Sequence, residues 1–116
     1  MLLVSTIKSS REIDAVFRSA QRSAQPSVIV LASRTPDGRG PEGRVAFVAG
    51  KKTGNAVRRN RSKRVLREAV RRTGGPWGGY DIVVIARANT HSATPEGLDH
   101  ELRRALARLG VAGEPA

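Results

Sequence analysis

The sequence predicts an α+β fold in which helices pack on a small mixed sheet. Amphipathic helical patterns alternate with β-branched apolar runs, and the elements come in the order helix, strands, helix, strand, helix. The chain has 116 residues, enough for one modest hydrophobic core and too few for two. We therefore expect one domain over residues 1–116, ordered from about residue 7 to about residue 110, with a frayed tail at 111–116.

The first element is a helix predicted over residues 10–20. Ser9 and Glu12 form a Ser-x-x-Glu capping box, which is typical of a helix N-terminus. The apolar residues that follow at helical spacing are Ile13, Val16, Phe17 and Ala20.

Two strands are predicted next. Val28–Ala32 is a β-branched run suited to a strand buried on both faces, and Arg44–Ala49 is the second candidate. The segment between them, Thr35–Gly43, holds three Gly, two Pro and an Asp. This composition favours turns, so we expect the two strands to form a hairpin.

The second helix is predicted over Asn55–Arg72. Asn55 is a suitable N-cap, and Gly74, Gly75 and Pro76 would end the helix. Its predicted core stripe consists of Val65, Leu66, Ala69 and Val70.

A last strand and a last helix complete the pattern. Asp81–Ala86 is an apolar run that indicates a buried strand. Thr94 would cap the final helix, with Pro95 at its first position and Gly110 at its end. Its apolar face comprises Leu98, Leu102, Ala105, Leu106 and Leu109.

The charge of the chain points to a polyanionic partner. Lys and Arg number 21 against 10 Asp and Glu, a formal net charge of +11 that repels itself unless a polyanion neutralises it. Nucleic acid is the first candidate. An anionic membrane surface ranks lower, because the chain has only four aromatic residues for the apolar side of a membrane-binding helix.

Other features indicate a cytoplasmic protein without a membrane partner. The chain has no cysteine, which excludes disulfides and thiolate metal sites and fits a reducing compartment. No stretch approaches the roughly 20 apolar residues of a membrane span.

The positive charge is concentrated between Lys51 and Arg72. Ten of these 22 residues are Lys or Arg, and only Glu68 is acidic. Like charges at i,i+4 destabilise an isolated helix by a few tenths of a kcal/mol per pair, so an external anion is expected to offset the repulsion. Phosphates suit this role because Arg binds them with two parallel hydrogen bonds. The alternative is a solvated helix face.

Within this segment, residues 51–64 read Lys-Lys-Thr-Gly-Asn-Ala-Val-Arg-Arg-Asn-Arg-Ser-Lys-Arg. This run, with its Gly-Asn-Ala-Val and Arg-Asn-Arg elements, resembles the signature of the bacterial ribonuclease P protein family. Residues 11–17 resemble the first helix of that family, and residues 79–87 resemble its last strand. The resemblance extends over most of residues 7–109.

The resemblance implies an α-β-β-β-α-β-α fold like the second domain of ribosomal protein S5, with a left-handed βαβ crossover. It implies an accessory subunit of an endoribonuclease in which RNA supplies catalysis and the 5′ leader of precursor tRNA is removed. One surface would bind the catalytic RNA through Arg58, Arg59, Asn60, Arg61, Lys63, Arg64 and Arg67. A cleft would bind the precursor leader through Ile13, Phe17, Lys51, Lys52 and Arg87.

Three departures from the family pattern concern the leader cleft. Ile13 stands where many members have a second aromatic residue, Gly50 replaces a hydroxyl or basic residue, and Ala88 replaces a frequent Lys. Two interpretations of Phe17 also stay open. It is either a platform on which bases stack or an ordinary core residue.

No catalytic or metal-binding residues are predicted on the protein itself. The acidic residues are scattered, and Asp99 and Glu101 are expected to be solvated on the last helix. His91 and His100 are expected to be surface residues rather than an acid–base pair. The resemblance implies that Mg²⁺ is bound by the RNA and the substrate, and that the protein is monomeric outside the holoenzyme. A general RNA-binding module and a self-sufficient nuclease are the competing classes.

Overall fold

A computed structural model describes Arg18, residues 20–34 and residues 43–111. Most of the helix predicted over residues 10–20, most of Thr35–Gly43 and the tail beyond residue 111 lie outside the described residues.

The described residues contain one mixed sheet. Its strands are β1 (Gln21–Ala24), β2 (Val28–Arg34), β3 (Arg44–Val48) and β4 (Tyr80–Ala86), in the spatial order β1-β2-β4-β3. The β1–β2 and β2–β4 pairs are antiparallel, and β3 pairs with β4 in parallel. The predicted mixed sheet is confirmed.

The prediction that Val28–Ala32 and Arg44–Ala49 form a hairpin is wrong, because β4 lies between these two strands in the sheet. Val84 of β4 pairs with Val30 on one side and with Phe47 on the other. An apolar β4 gains more by taking this central place, where both of its edges are hydrogen-bonded, than β2 and β3 would gain from a local turn.

The apolar pattern alone also missed β1, the third strand that the family resemblance implied. Its sequence is Gln-Arg-Ser-Ala, and only Ser23 is buried. An edge strand of this kind is held by its backbone ladder to β2 and leaves no apolar alternation to read in the sequence.

Two described helices follow β3 and β4. They are α1 (Ala56–Arg72) and α2 (Pro95–Arg108), each preceded by a short 3-10 turn, Lys51–Thr53 and Thr90–Ser92. The side chain of Asn55 accepts a hydrogen bond from the Arg58 amide, and that of Thr94 accepts one from the Gly97 amide. Both predicted N-caps are confirmed.

Both helices pack on the same face of the sheet. Side chains at even positions of β2 and β4 face the helices and form one core with α1 and α2, whose buried apolar residues are Leu66, Ala69, Val70, Leu98, Leu102, Ala105 and Leu106. Val65 of the predicted stripe is only half-buried. The opposite sheet face carries a smaller apolar cluster made of Ala20, Ile29, Leu31, Ala46, Val48, Val83 and Ile85.

Neither described helix is both long and apolar enough to cross a bilayer.

Asp81, at the polar end of β4, is buried beside Arg44 with 3.2 Å between their side-chain nitrogen and oxygen atoms.

Candidate nucleic-acid interface

The face of α1 that points away from the sheet is basic. Ser62, Leu66, Ala69 and Val70 are buried on the core side. Among the residues predicted to bind the catalytic RNA, Arg59 and Lys63 are half-buried at the border of the core face. The exposed members are Arg58, Asn60, Arg61, Arg64 and Arg67. The structure therefore brings the predicted set together on one helix, with a gradation of exposure.

An exposed valine lies within this basic face. Val57 is 75% exposed and, with Asn60, Arg61 and Arg64, lines a shallow groove of about 400 Å³. Val57 was not predicted from the sequence as a binding residue. The available signal was that position 57 lies off the apolar stripe, so its valine faces solvent without a packing role.

The side of α1 that faces α2 is held by polar contacts. Arg61 donates from Nε to the carbonyl of His91 at 3.1 Å, and Arg72 donates two hydrogen bonds of 2.8 Å to the carboxylate of Asp99. These bonds raise the pKa of Arg72 above its ordinary value. The Arg72 guanidinium is thus paired with the Asp99 carboxylate. In Arg61, only Nε takes part in the bond to His91, and the two terminal nitrogens do not.

The expectation that Asp99 and Glu101 are solvated is wrong. The Asp99 side chain is 13% exposed because it pairs with Arg72, and the Glu101 carboxylate accepts a 2.7 Å hydrogen bond from the Ser27 amide. Their partners lie 27 and 74 residues away, so the local helical pattern contained no sign of them.

A second candidate surface is a groove of about 780 Å³ at the end of the sheet where β4 finishes. Lys51, Lys52 and Arg87, predicted from separate segments, all line it. Its other described lining residues, mostly apolar or small, are Pro26, Ile29, Val48, Gly50, Thr53, Ile85, Ala86, Ala88 and Asn89. Ile13 and Phe17, the other predicted members, lie outside the described residues.

Arg87 is anchored at the rim of this groove by buried polar groups. Its side chain donates from Nη1 to the Gln25 carbonyl at 3.3 Å, and its amide donates to Thr90 Oγ1 at 2.7 Å. The Thr90 hydroxyl in turn donates to the Ser27 carbonyl. Thr90 is fully buried, so the network fixes the start of the segment after β4. Sequence reasoning identified Arg87 but not the residues that position it.

The described residues contain no group of three His, Cys, Asp or Glu side chains placed to hold a metal ion. His100 is exposed as expected, whereas His91 is half-buried and its carbonyl accepts the Arg61 bond.

A model of the ribonuclease P family matches residues 4–110 of the chain. The chain belongs to the ribonuclease P family. A ribonuclease P protein component from Ruegeria pomeroyi is 43% identical over 93 residues, which cover 78% of this chain and 74% of that protein. One from Gluconacetobacter diazotrophicus is 37% identical over 109 residues, covering 92% of each.

Solved structures of the ribonuclease P family share the fold. The Staphylococcus aureus ribonuclease P protein superimposes with a TM-score of 0.78 at 25% identity, over 94% of this chain and 98% of that one. This ribonuclease P family member is accordingly a subunit of an endoribonuclease that matures the 5′ end of tRNA.

Proposed function

We propose that this ribonuclease P protein contacts RNA through two separate surfaces, the basic face of α1 and the groove lined by Lys51, Lys52 and Arg87. The α1 face would bind the catalytic RNA, and the groove would bind the single-stranded leader of precursor tRNA. The convergence of the three basic residues at one apolar groove carries the proposal.

The groove has the chemistry that unpaired RNA requires. A single strand is bound by cations that follow its phosphates and by apolar or aromatic surfaces that take its bases, largely without reading sequence. Here the cations stand at the rim, and Ile29, Val48 and Ile85 supply an apolar floor. Since leaders differ between precursors, a floor without specific hydrogen-bonding side chains suits this ligand.

The face of α1 has a different chemistry. Exposed guanidinium groups on a rigid helix can each take a phosphate through paired N–H donors. Val57 and Asn60 between them offer van der Waals and amide contacts to a folded RNA surface. This arrangement supports docking on a structured RNA.

Mg²⁺ at the cleavage site would be held by the catalytic RNA and the substrate. The contribution of this chain would be to bind and orient the precursor beside that site. We further propose that the chain acts as a monomer in the cytoplasm before it joins the RNA.

The test compares precursor and mature tRNA binding to the reconstituted holoenzyme at saturating protein. Lys52→Gln/Arg87→Gln should weaken precursor binding by about tenfold and flatten its salt dependence by about 0.7 units per lost contact. Mature tRNA, which has no leader, should bind as before. The matched control is Arg61→Gln/Arg64→Gln, which removes the same charge from α1 and should weaken assembly with the catalytic RNA instead. Equal losses for both tRNAs would refute the leader assignment.

The same preparation separates the competing classes. Adding the protein to the catalytic RNA and precursor tRNA at low Mg²⁺ should restore 5′ cleavage. A general RNA-binding module would leave cleavage unchanged, and a self-sufficient nuclease would cleave without the RNA.

A further inference from the structure

A third groove lies at the opposite end of the sheet, on the side that carries the helices. It has a volume of about 350 Å³, and Arg34, Tyr80, Leu109 and Gly110 are among its lining residues. Arg34 and Tyr80 are paired across β2 and β4, six residues from the Val28–Ala86 pair beside the leader groove. At about 3.3 Å per residue, the two grooves are about 20 Å apart along the strands.

The cation in this groove is held in place. The guanidinium carbon of Arg34 lies 6.0 Å from the centre of the Tyr80 ring, and the Tyr80 hydroxyl is 3.5 Å from the Gly110 carbonyl oxygen. A guanidinium above an aromatic face is oriented by the ring while its N–H donors point outward. The described lining of this groove contains no carboxylate.

The last turns of α2 add positive charge beside this groove. Glu101, Arg104 and Arg108 recur at i, i+3 and i+7 and share one side of the helix. Glu101 binds the Ser27 amide in the turn between β1 and β2, so this side of α2 runs along β1. Arg108 directly precedes Leu109, which lines the groove.

Neither Arg104 nor Arg108 forms an ion pair within the described part of the chain, where the ion pairs are Arg44–Asp81 and Arg72–Asp99. The Glu101 carboxylate accepts the hydrogen bond of the Ser27 amide, and residues 102–108 contain no Asp or Glu. A cation in the last turn of a helix interacts favourably with the helix dipole. This interaction explains part of the reason for an arginine at position 108. It does not explain Arg104, one turn earlier, or Arg34 on the sheet.

We propose that Arg34, Arg104 and Arg108 form a third phosphate-binding surface for RNA, separate from both the α1 face and the leader groove. Its ligand is the sugar–phosphate backbone, supplied by the catalytic RNA or by the body of the tRNA. Exposed guanidinium groups without an ion-pair partner among the described residues fit phosphates, and the excess positive charge of the chain favours RNA over other partners.

The test uses two variants of equal charge. Arg34→Gln/Arg108→Gln removes one strand and one α2 cation from the proposed surface. Arg22→Gln/Arg103→Gln is the control. Arg22 pairs with Leu31 and so lies on the side of the sheet opposite α1 and α2, and Arg103 lies four residues after Asp99, on the side of α2 that faces α1. All four arginines are exposed, and thermal unfolding should show the fold intact in both variants.

Two measurements identify the source of the phosphates. Protein binding to the catalytic RNA across a salt series reports on that RNA, and binding of mature tRNA to the assembled holoenzyme reports on the tRNA body. The proposed-surface variant should lose about tenfold or more in one of the two, with a salt slope lower by one to about two units, while the control stays near the parent. Arg34→Lys/Arg108→Lys should regain most of the loss.

Equal behaviour of the Arg34/Arg108 and Arg22/Arg103 variants in both measurements would overturn the proposal, since only the total charge would then matter. The Arg61→Gln/Arg64→Gln variant is measured in parallel. Its binding to the catalytic RNA shows whether the α1 face docks on that RNA, whatever the result for Arg34 and Arg108.

Discussion

The guanidinium carbon of Arg67 lies 5.4 Å from the centre of the Phe47 ring, which joins α1 to the edge strand β3. Arg67 was predicted to contact the catalytic RNA, and its exposed position allows that. The ring nevertheless fixes it on the flank of the helix that faces the sheet, away from Val57 and Arg61. Its role is therefore divided between packing and binding.

Arg67→Gln should lower the free energy of unfolding by about 0.5–1 kcal/mol through loss of the contact with Phe47. It should also reduce affinity for the catalytic RNA less than Arg64→Gln does. Urea denaturation and an RNA titration on both variants check this. An Arg64→Gln protein that loses more stability than the Arg67→Gln protein would contradict the assignment.

Replacing Arg61 and Arg64 together with Ala should weaken binding to the catalytic RNA by about tenfold or more and flatten the salt slope by about one unit per lost contact. The half-buried pair Arg59 and Lys63 should give a smaller change in slope. Filter binding across a salt series measures both. An unchanged slope for the Arg61 and Arg64 variant would place the RNA elsewhere.

Thr90→Val should destabilise the fold by about 1–3 kcal/mol, because the Arg87 amide and the Ser27 carbonyl would both lose their buried partner. Thr90→Ser retains the hydroxyl and should stay close to the parent. Equilibrium unfolding followed by circular dichroism compares the three proteins. A Val variant as stable as the Ser variant would show that the hydroxyl does not hold this segment.

Ser62→Ala should leave stability unchanged or raise it by about 0.5–1.5 kcal/mol. The Ser62 hydroxyl is fully buried in α1 and has no hydrogen-bond partner among the residues that the structure describes, and Ala is the better helix former. Leu66→Ala, one turn later in the same core, should cost about 2–5 kcal/mol and serves as the contrast. A marked loss of stability in the Ser62 variant would mean that its hydroxyl is hydrogen-bonded.

Phe17→Ala separates the two interpretations left open by the sequence. If bases stack on Phe17, precursor tRNA binding should weaken by about 1–3 kcal/mol with little change for mature tRNA. If Phe17 is a core residue, stability should fall by about 3–5 kcal/mol and binding of both tRNAs should decline together. Thermal unfolding and paired tRNA titrations distinguish these outcomes.

Elements whose signals are local were predicted correctly. The caps at Asn55 and Thr94 and the apolar β4 depend on residues within one or two turns or within one strand, so periodicity and composition were enough to find them. Strand order was not predictable in this way. Which strand lies beside β4 depends on contacts between segments dozens of residues apart, and the loop composition of Thr35–Gly43 suggested the wrong neighbour.

The candidate sites divide along the same line. The seven residues predicted on α1 lie on one helix, and the sequence spacing is sufficient to place them there, but five are exposed while Arg59 and Lys63 are half-buried. Convergence of Lys51 and Lys52 with Arg87 came from the family resemblance and not from spacing. The supporting contacts of Arg87 with Gln25 and Thr90 had no sequence signature, since backbone carbonyls and a buried hydroxyl supply them.

A single residue, Gly54, stands between the turn Lys51–Thr53 and the capping residue of α1. Its φ of +115° is one that other residues rarely adopt, and a side chain there would come within 2.8 Å of Arg58. The join between the lysines and the docking helix is thus short and fixed in direction. If both surfaces bind RNA as proposed, this short segment sets the distance between the catalytic RNA and the leader. Inserting even one residue after Gly54 would change that distance and misalign the two RNAs.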